Sequence, residues 1–326
     1  MLFFSPGIWH VLRDAGADEI GSAVSILPAC GGGSGAAFSD MIGIRHFLHP
    51  VRTVLLIYHM GKVSLYRAFH SKEPKNLRRS EIEACWCGGS LSAFKLHASY
   101  GVCTSCGTYV NRRPPVDEEL SRIYSFDYYW HRRQKLRGDP VIEHRPANDR
   151  SDGRVGYWLE VISRYGPASG RVIEIGCGSG VLLSELQKRS YECIGVDVDE
   201  KSAAWVRETM ALDVRAGIFP DVDLPSCSLF LALDVIEHAK RPHHFMKRAA
   251  ELLVRGGVAI IQAPIDRYAY PRPFGKRFTD AFDDVEHLFV FTDKSMRALA
   301  AYSGLEVVTL DERLWLMGEL AVFRKR

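Results

Sequence analysis

The chain has 326 residues, 47% hydrophobic and 25% charged, with 42 basic against 39 acidic residues for a net charge of +3. That length holds two domains, or one domain with a sizeable appendage, and a core that needs no disulfides. So small a charge makes nucleic acid or an anionic membrane an unexpected partner, and no apolar run reaches the ~18 residues of a membrane span.

Residues 1–80 read as a poorly ordered extension. Gly31-Gly32-Gly33-Ser34-Gly35 has linker composition, and Val51–Tyr58 is an apolar run that suits one strand. Met41 and Met60 are alternative starts. The opening Met1-Leu2-Phe3-Phe4 lacks the basic start and continuous apolar stretch of a secretory signal, so the chain is expected in the cytoplasm.

Eight cysteines occur, at 30, 85, 87, 103, 106, 177, 193 and 227. Four form two close pairs, which fits one metal site in a reducing compartment better than a disulfide framework. Residues 81–115 hold them: Cys85-Trp86-Cys87-Gly88-Gly89 and Cys103-Thr104-Ser105-Cys106-Gly107, with fifteen residues between Cys87 and Cys103. Four thiolates on two turns suit tetrahedral Zn²⁺, a closed structural site. The first pair has one residue between its cysteines where a ribbon has two, and His97 is a substitute ligand.

Residues 116–153 form a connecting segment. Its aromatic cluster, Tyr124 to Trp130, is either a lid over a ligand or a packing patch. The basic run Arg132-Arg133-Gln134-Lys135-Leu136-Arg137 reads as a solvated face.

From Arg154 the pattern becomes regular. Helices are expected over Val155–Tyr165, Val181–Arg189, Lys201–Met210, Pro242–Val254 and Thr292–Tyr302. Strands are expected over Arg171–Ile175, Glu192–Val196, Leu212–Arg215, Ser228–Leu233, Val258–Gln262, Leu305–Leu310 and Leu314–Phe323. Alternating strands and helices mean a parallel sheet covered on both faces. The last two strands have no helix between them and point to an antiparallel hairpin.

The main chemical motif is Val172-Ile173-Glu174-Ile175-Gly176-Cys177-Gly178-Ser179-Gly180. A strand ends, glycines turn tightly, and a helix begins, so backbone N–H groups face a ligand. The dinucleotide fingerprint places its third glycine where Val181 stands, which disfavours a nicotinamide enzyme. Glu174, just before the glycines, suits a ligand carrying an amine. Asp197 ends the next strand, 21 residues after Gly176, where a carboxylate accepts from both ribose hydroxyls.

These residues resemble the class I S-adenosylmethionine (SAM)-dependent methyltransferases, and most closely the small-molecule branch that includes ubiquinone-biosynthesis O-methyltransferases. The resemblance covers residues 154–326. It rests on Glu174–Gly180, Gly195-Val196-Asp197, the pair Leu233–His238 and Leu252–Gly257, and Glu286–Thr292. It implies a Rossmann-like α/β fold with a seven-stranded, mostly parallel sheet and an antiparallel last strand. It also implies SAM as cofactor, held by Glu174, Gly176, Cys177, Gly178, Gly180, Asp197, Val198 and Asp234. The usual adenine-reading acid is missing at Ala216-Gly217, leaving backbone or Phe219. Relatives, including sugar C-methyltransferases, carry a similar ribbon followed by Arg/Pro and Tyr-rich stretches.

A general base is required only if the nucleophile starts protonated. His238, after the fourth strand, is the first candidate, and His287 in the long 264–291 connection is the second. Asp283, Asp284 and Tyr268 rank lower. That connection is expected to shape the acceptor pocket. The expectation is therefore methyl transfer to an O, N or C nucleophile of a small molecule such as a sugar or quinone. The alternatives are a nucleic-acid or protein methyltransferase that docks through the ribbon, and a SAM-binding protein without turnover.

Overall fold

The computed structural model describes residues 76–95, 97–266, 281–314 and 318–326, with side chains excluded from 311 to 319. The expected extension therefore lies outside the described residues up to 75, as do the Val51–Tyr58 strand, both alternative starts and Tyr268.

The first strands are β1 (Leu91–Ala93), β2 (Tyr100–Cys103) and β3 (Tyr109–Asn111). Helix α1 (Asp117–Ile123) leads to a π-helical segment, Asp127–Arg133, that runs into α2 (Gln134–Arg137). Then come α3 (Arg145–Ser151), α4 (Arg154–Tyr165), β4 (Gly170–Ile175), α5 (Val181–Gln187), β5 (Tyr191–Asp197), α6 (Glu200–Met210), β6 (Asp213–Ala216) and β7 (Cys227–Leu233). A 3-10 turn at Ile236–His238 precedes α7 (Pro242–Leu252), β8 (Leu253–Ala263), β9 (Ile265–Asp266), β10 (Phe289–Thr292), α8 (Asp293–Ser303), β11 (Leu305–Leu314) and β12 (Gly318–Lys325).

The main sheet has seven strands in the order β11-β12-β8-β7-β4-β5-β6. Neighbours from β8 to β6 are parallel, and β12 is antiparallel to both β8 and β11. This is the expected Rossmann-like sheet with its antiparallel last strand. The central strands are buried on both faces, and side chains alternate between them with the period of two that a pleated strand imposes. Val172, Leu229 and Leu231 pack with helices α4, α5 and α6, while Ile173, Ile175, Phe230 and Ala232 pack with α7 and α8. Thr292 caps α8 in a reciprocal box with Ser295, as its position before the apolar helix implied.

The ribbon strands do not stand apart. A second sheet runs β1-β2-β3-β10-β9, so β3 pairs antiparallel with β10, Phe289 opposite Val110 and Val290 opposite Tyr109. Tyr100, Tyr109, Phe282 and Val290 form a small core around this junction. The segment before the ribbon is also tied in, with Ser80 N–H donating to the Pro114 carbonyl at 2.9 Å.

The basic run corrects one expectation. Arg133 is 2% exposed and pairs with buried Glu286, and Arg137 reaches Asp283 at 3.2 Å. The π-helical register turns Arg133 inward, which a charge pattern cannot reveal.

Candidate functional site

The carboxyl ends of β4, β5 and β7 converge. At the end of β4, the Gly176 and Cys177 N–H groups donate to the Val196 carbonyl at 2.8 and 3.1 Å, which locks the turn onto β5. Gly176 has φ +68°, and a β-carbon there would come within 2.6 Å of Val235. Gly180, φ +71°, precedes α5 and would meet Val206 at 2.5 Å. Only glycine fits such backbone in such space. The Cys177 side chain is buried in the core beneath the turn, so only its backbone faces outward.

Glu174 is buried, and its Oε2 has no hydrogen-bond partner among the described residues. Burial alone pushes its carboxyl up to about 8. A buried carboxylate oxygen left bare is costly, and a cationic ligand group would relieve that cost. Asp197 ends β5, with its Oδ1 accepting from Asp199 N–H at 3.1 Å. Burial pushes it up to about 6. Val198 beside it is exposed.

Asp234 has a left-handed backbone, φ +56°. Gln262 Nε2 donates to both its carboxylate oxygens at 2.9 Å, and Trp158 Nε1 holds Gln262 Oε1 at 2.8 Å. This brace from β8 and α4 was not evident in the sequence, because its members are 104 residues apart.

Phe219 is buried, and its ring packs against Phe245 and Phe230, with centroids 4.6 and 5.5 Å away. Its neighbour Ile218 is exposed.

The structure brings His238 and His287 together, with ring centroids 5.1 Å apart. Burial first, and then His287, lower His238 to about 4. Tyr124 reaches His238 Nδ1 at 3.1 Å, so the aromatic segment packs onto this pair. Of the lower-ranked candidates, Asp283 accepts from the Val285 and Glu286 N–H groups, and Asp284 accepts from Ser99.

The family model described as "Methyltransferase domain" matches residues 144–310. The chain belongs to that family. Among curated relatives, the methyltransferase domain is similar to ubiquinone biosynthesis O-methyltransferases. That of Maricaulis maris is 25% identical over 164 residues, 45% of this chain and 62% of the relative. That of Alkalilimnicola ehrlichii is 25% identical over 166 residues, 48% of this chain and 63% of the relative. That of Bradyrhizobium diazoefficiens is 30% identical over 97 residues, 28% of this chain and 38% of the relative. The chain thus spans less than two thirds of the length of each of these relatives.

Beside the methyltransferase domain, the four paired cysteines converge. The Cys85 and Cys106 sulfurs lie 3.6 Å apart, those of Cys87 and Cys103 lie 3.5 Å apart, and all four fall within 4.8 Å of one another. The single-residue spacing of the first pair therefore does not keep its sulfurs from the cluster. The hydrogen bond between Cys85 and Cys106 lowers the Cys106 thiol and raises that of Cys85, and burial raises Cys87. His97 is not a member; it packs against Tyr100 and Phe282. No helix among the described residues is long and apolar enough to cross a membrane.

Proposed function

We propose that the chain transfers a methyl group from SAM to a small-molecule acceptor. The observation that carries this reading is the bare, buried oxygen of Glu174 beside the glycine turn. It offers a negative partner for the amine of a methionine moiety, and Asp197 ends the neighbouring strand, where a carboxylate accepts from ribose hydroxyls. The sulfonium of bound SAM supplies a methyl that is already activated.

The chain's own residues bind, orient and exclude water. Glu174 and the backbone of Gly176, Cys177, Gly178 and Gly180 hold one end of the cofactor, and Asp197 and Val198 hold the other. Asp234 follows β7, on the far side of β4 from Asp197, and is oriented by Gln262 and Trp158. Alignment of this kind supplies about 7–11 kcal/mol of a transfer barrier. His238 and His287 lie beyond the carboxyl end of β7, where an acceptor would enter. The small net charge and the names of the curated relatives support a small-molecule acceptor over nucleic acid. The cysteine cluster supports a structural zinc, and a thiolate site supports a reducing, cytoplasmic setting.

Calorimetry with SAM and with NAD tests this reading. SAM should bind and NAD should not, and Asp197→Ala should weaken SAM at least tenfold. A variant that keeps full affinity sinks the assignment. Labelled SAM incubated with cell metabolites, and separately with RNA, then separates acceptor classes.

A further inference from the structure

Three side chains next to the glycine turn are arranged for a ligand that none of the roles above explains. Glu237 and His238 sit on the turn after β7, and His287 sits on the segment leading to β10. One ligand atom from each lies within 4.8 Å of the others.

Each histidine has one nitrogen already committed. His238 Nδ1 lies 2.9 Å from the Glu286 carbonyl, and His287 Nδ1 lies 2.7 Å from the Ala281 carbonyl. A carbonyl only accepts, so both Nδ1 atoms carry a ring proton, and in the neutral imidazole Nε2 is then the nitrogen that can ligate a cation. Donation of the far N–H to a backbone carbonyl is how proteins orient metal-binding imidazoles. Glu237 is 1% exposed, and its Oε2 has no hydrogen-bond partner among the described residues. The nearest approach of His238 Nε2 to this carboxylate is 3.8 Å, to Oε1. That is too long for a hydrogen bond, so the two groups do not satisfy each other. It is the separation two ligands have when an ion sits about 2 Å from each.

The neighbouring Glu286-His287 pair offers an internal contrast. The Glu286 carboxylate is neutralised by Arg133 and Arg137, whereas among the described residues the carboxylate of Glu237 has no cation at ion-pair distance except its histidine neighbour. The ribbon fixes the third ligand in place. Tyr100 donates to the His287 carbonyl at 2.7 Å, and Asn111 donates to the Asp284 carbonyl at 3.0 Å.

We propose that the Glu237 carboxylate, His238 Nε2 and His287 Nε2 bind one divalent transition-metal cation whose open positions take a hydroxyl oxygen of the methyl acceptor. Two imidazoles and one carboxylate suit Zn²⁺, Fe²⁺ or Mn²⁺ better than Mg²⁺ or Ca²⁺, and three protein ligands leave room for a substrate. The second half of the proposal rests on the SAM-dependent reading above. A hydroxyl bound to the cation becomes more acidic and releases its proton to solvent. The O–CH₃ bond then forms as the S–CH₃ bond of the sulfonium breaks, and S-adenosylhomocysteine leaves with a neutral sulfur.

Mn²⁺ separates this site from the cysteine cluster, because it favours nitrogen and oxygen over thiolates. Full-length protein titrated with Mn²⁺ should bind one equivalent, and pulsed EPR should show coupling to two imidazole nitrogens. Glu237→Gln and His287→Ala should each weaken Mn²⁺ at least tenfold while SAM affinity and thiolate-held zinc stay unchanged. Unmodified protein that binds no Mn²⁺, or variants that bind it as before, would overturn the proposal. If a variant misfolds, the nitrogen couplings of the unmodified protein decide. Loss of SAM binding by unmodified protein would instead sink the preceding functional reading and leave the cation site standing.

Discussion

Trp130 stands over Gly178: a β-carbon placed on that glycine would lie 3.6 Å from two atoms of the indole ring. The π-helical segment that carries Trp130 is tied to α6 by Asp127 and Lys201 at 2.8 Å, which holds the indole against the glycine turn. Single π turns recur at functional sites. Trp130→Ala should weaken SAM by about tenfold, equivalent to about 1.4 kcal/mol. The check is calorimetry on protein whose near-UV spectrum shows it folded. Unchanged affinity would reduce the aromatic segment to packing alone.

Glu174 sets a pH dependence whose sign follows from its burial. Its carboxyl titrates near 8 in the folded, cofactor-free protein against an ordinary 4.5. The unfolded chain therefore releases this proton first, and folding stability falls as pH rises from about 4.5 to about 8. Glu174→Gln removes the effect. The variant should melt higher than the parent at pH 8, with the gap closing toward pH 5, yet bind SAM at least tenfold more weakly. Parallel melting curves at every pH would contradict this.

The cysteine cluster should hold one zinc. Cys103→Ser should lose one equivalent of zinc by elemental analysis and lower the melting temperature by roughly 5 °C or more, since each kcal/mol moves Tm by about 2–4 °C in a domain of 150–250 residues. Because β3 pairs with β10, the loss should also loosen His287. Hydrogen exchange at Leu288, whose N–H donates to the Glu237 carbonyl at 2.9 Å, would report it. Retained zinc would show that the sulfurs converge without metal.

Gly180→Ala places a β-carbon 2.5 Å from Val206 and 3.0 Å from Leu212, on a residue with φ +71°. Steric and backbone costs act together here, and a loss on the order of 2–4 kcal/mol is expected. Denaturant unfolding measures it. A loss below about 0.5 kcal/mol would mean that the turn can shift, and the tight approach of α6 would then not constrain it.

Local patterns carried most of the fold. Strands such as Ser228–Leu233 were legible as continuous apolar runs, because a central parallel strand is buried on both faces, and helices such as Thr292–Tyr302 because burial imposes a period of 3.6. Glu174, the glycines and Asp197 were legible because a strand–turn–helix unit keeps its chemistry within a few residues. The short helices α1 and α3 were missed, since seven residues barely establish a period. Arg133 was misread because a charged run resembles solvent-facing surface whatever it meets in the fold.

The sequence alone determined the alternating sheet, the glycine turn, its two acids and the four converging cysteines, because each of these is written in neighbours along the chain. Only the tertiary structure decided that the ribbon shares a sheet with β10, that Gln262 braces Asp234, and that His287 joins Glu237 and His238. Those relationships join residues from about 28 to nearly 200 positions apart, and no local pattern encodes which distant partner a strand edge or a buried charge will find.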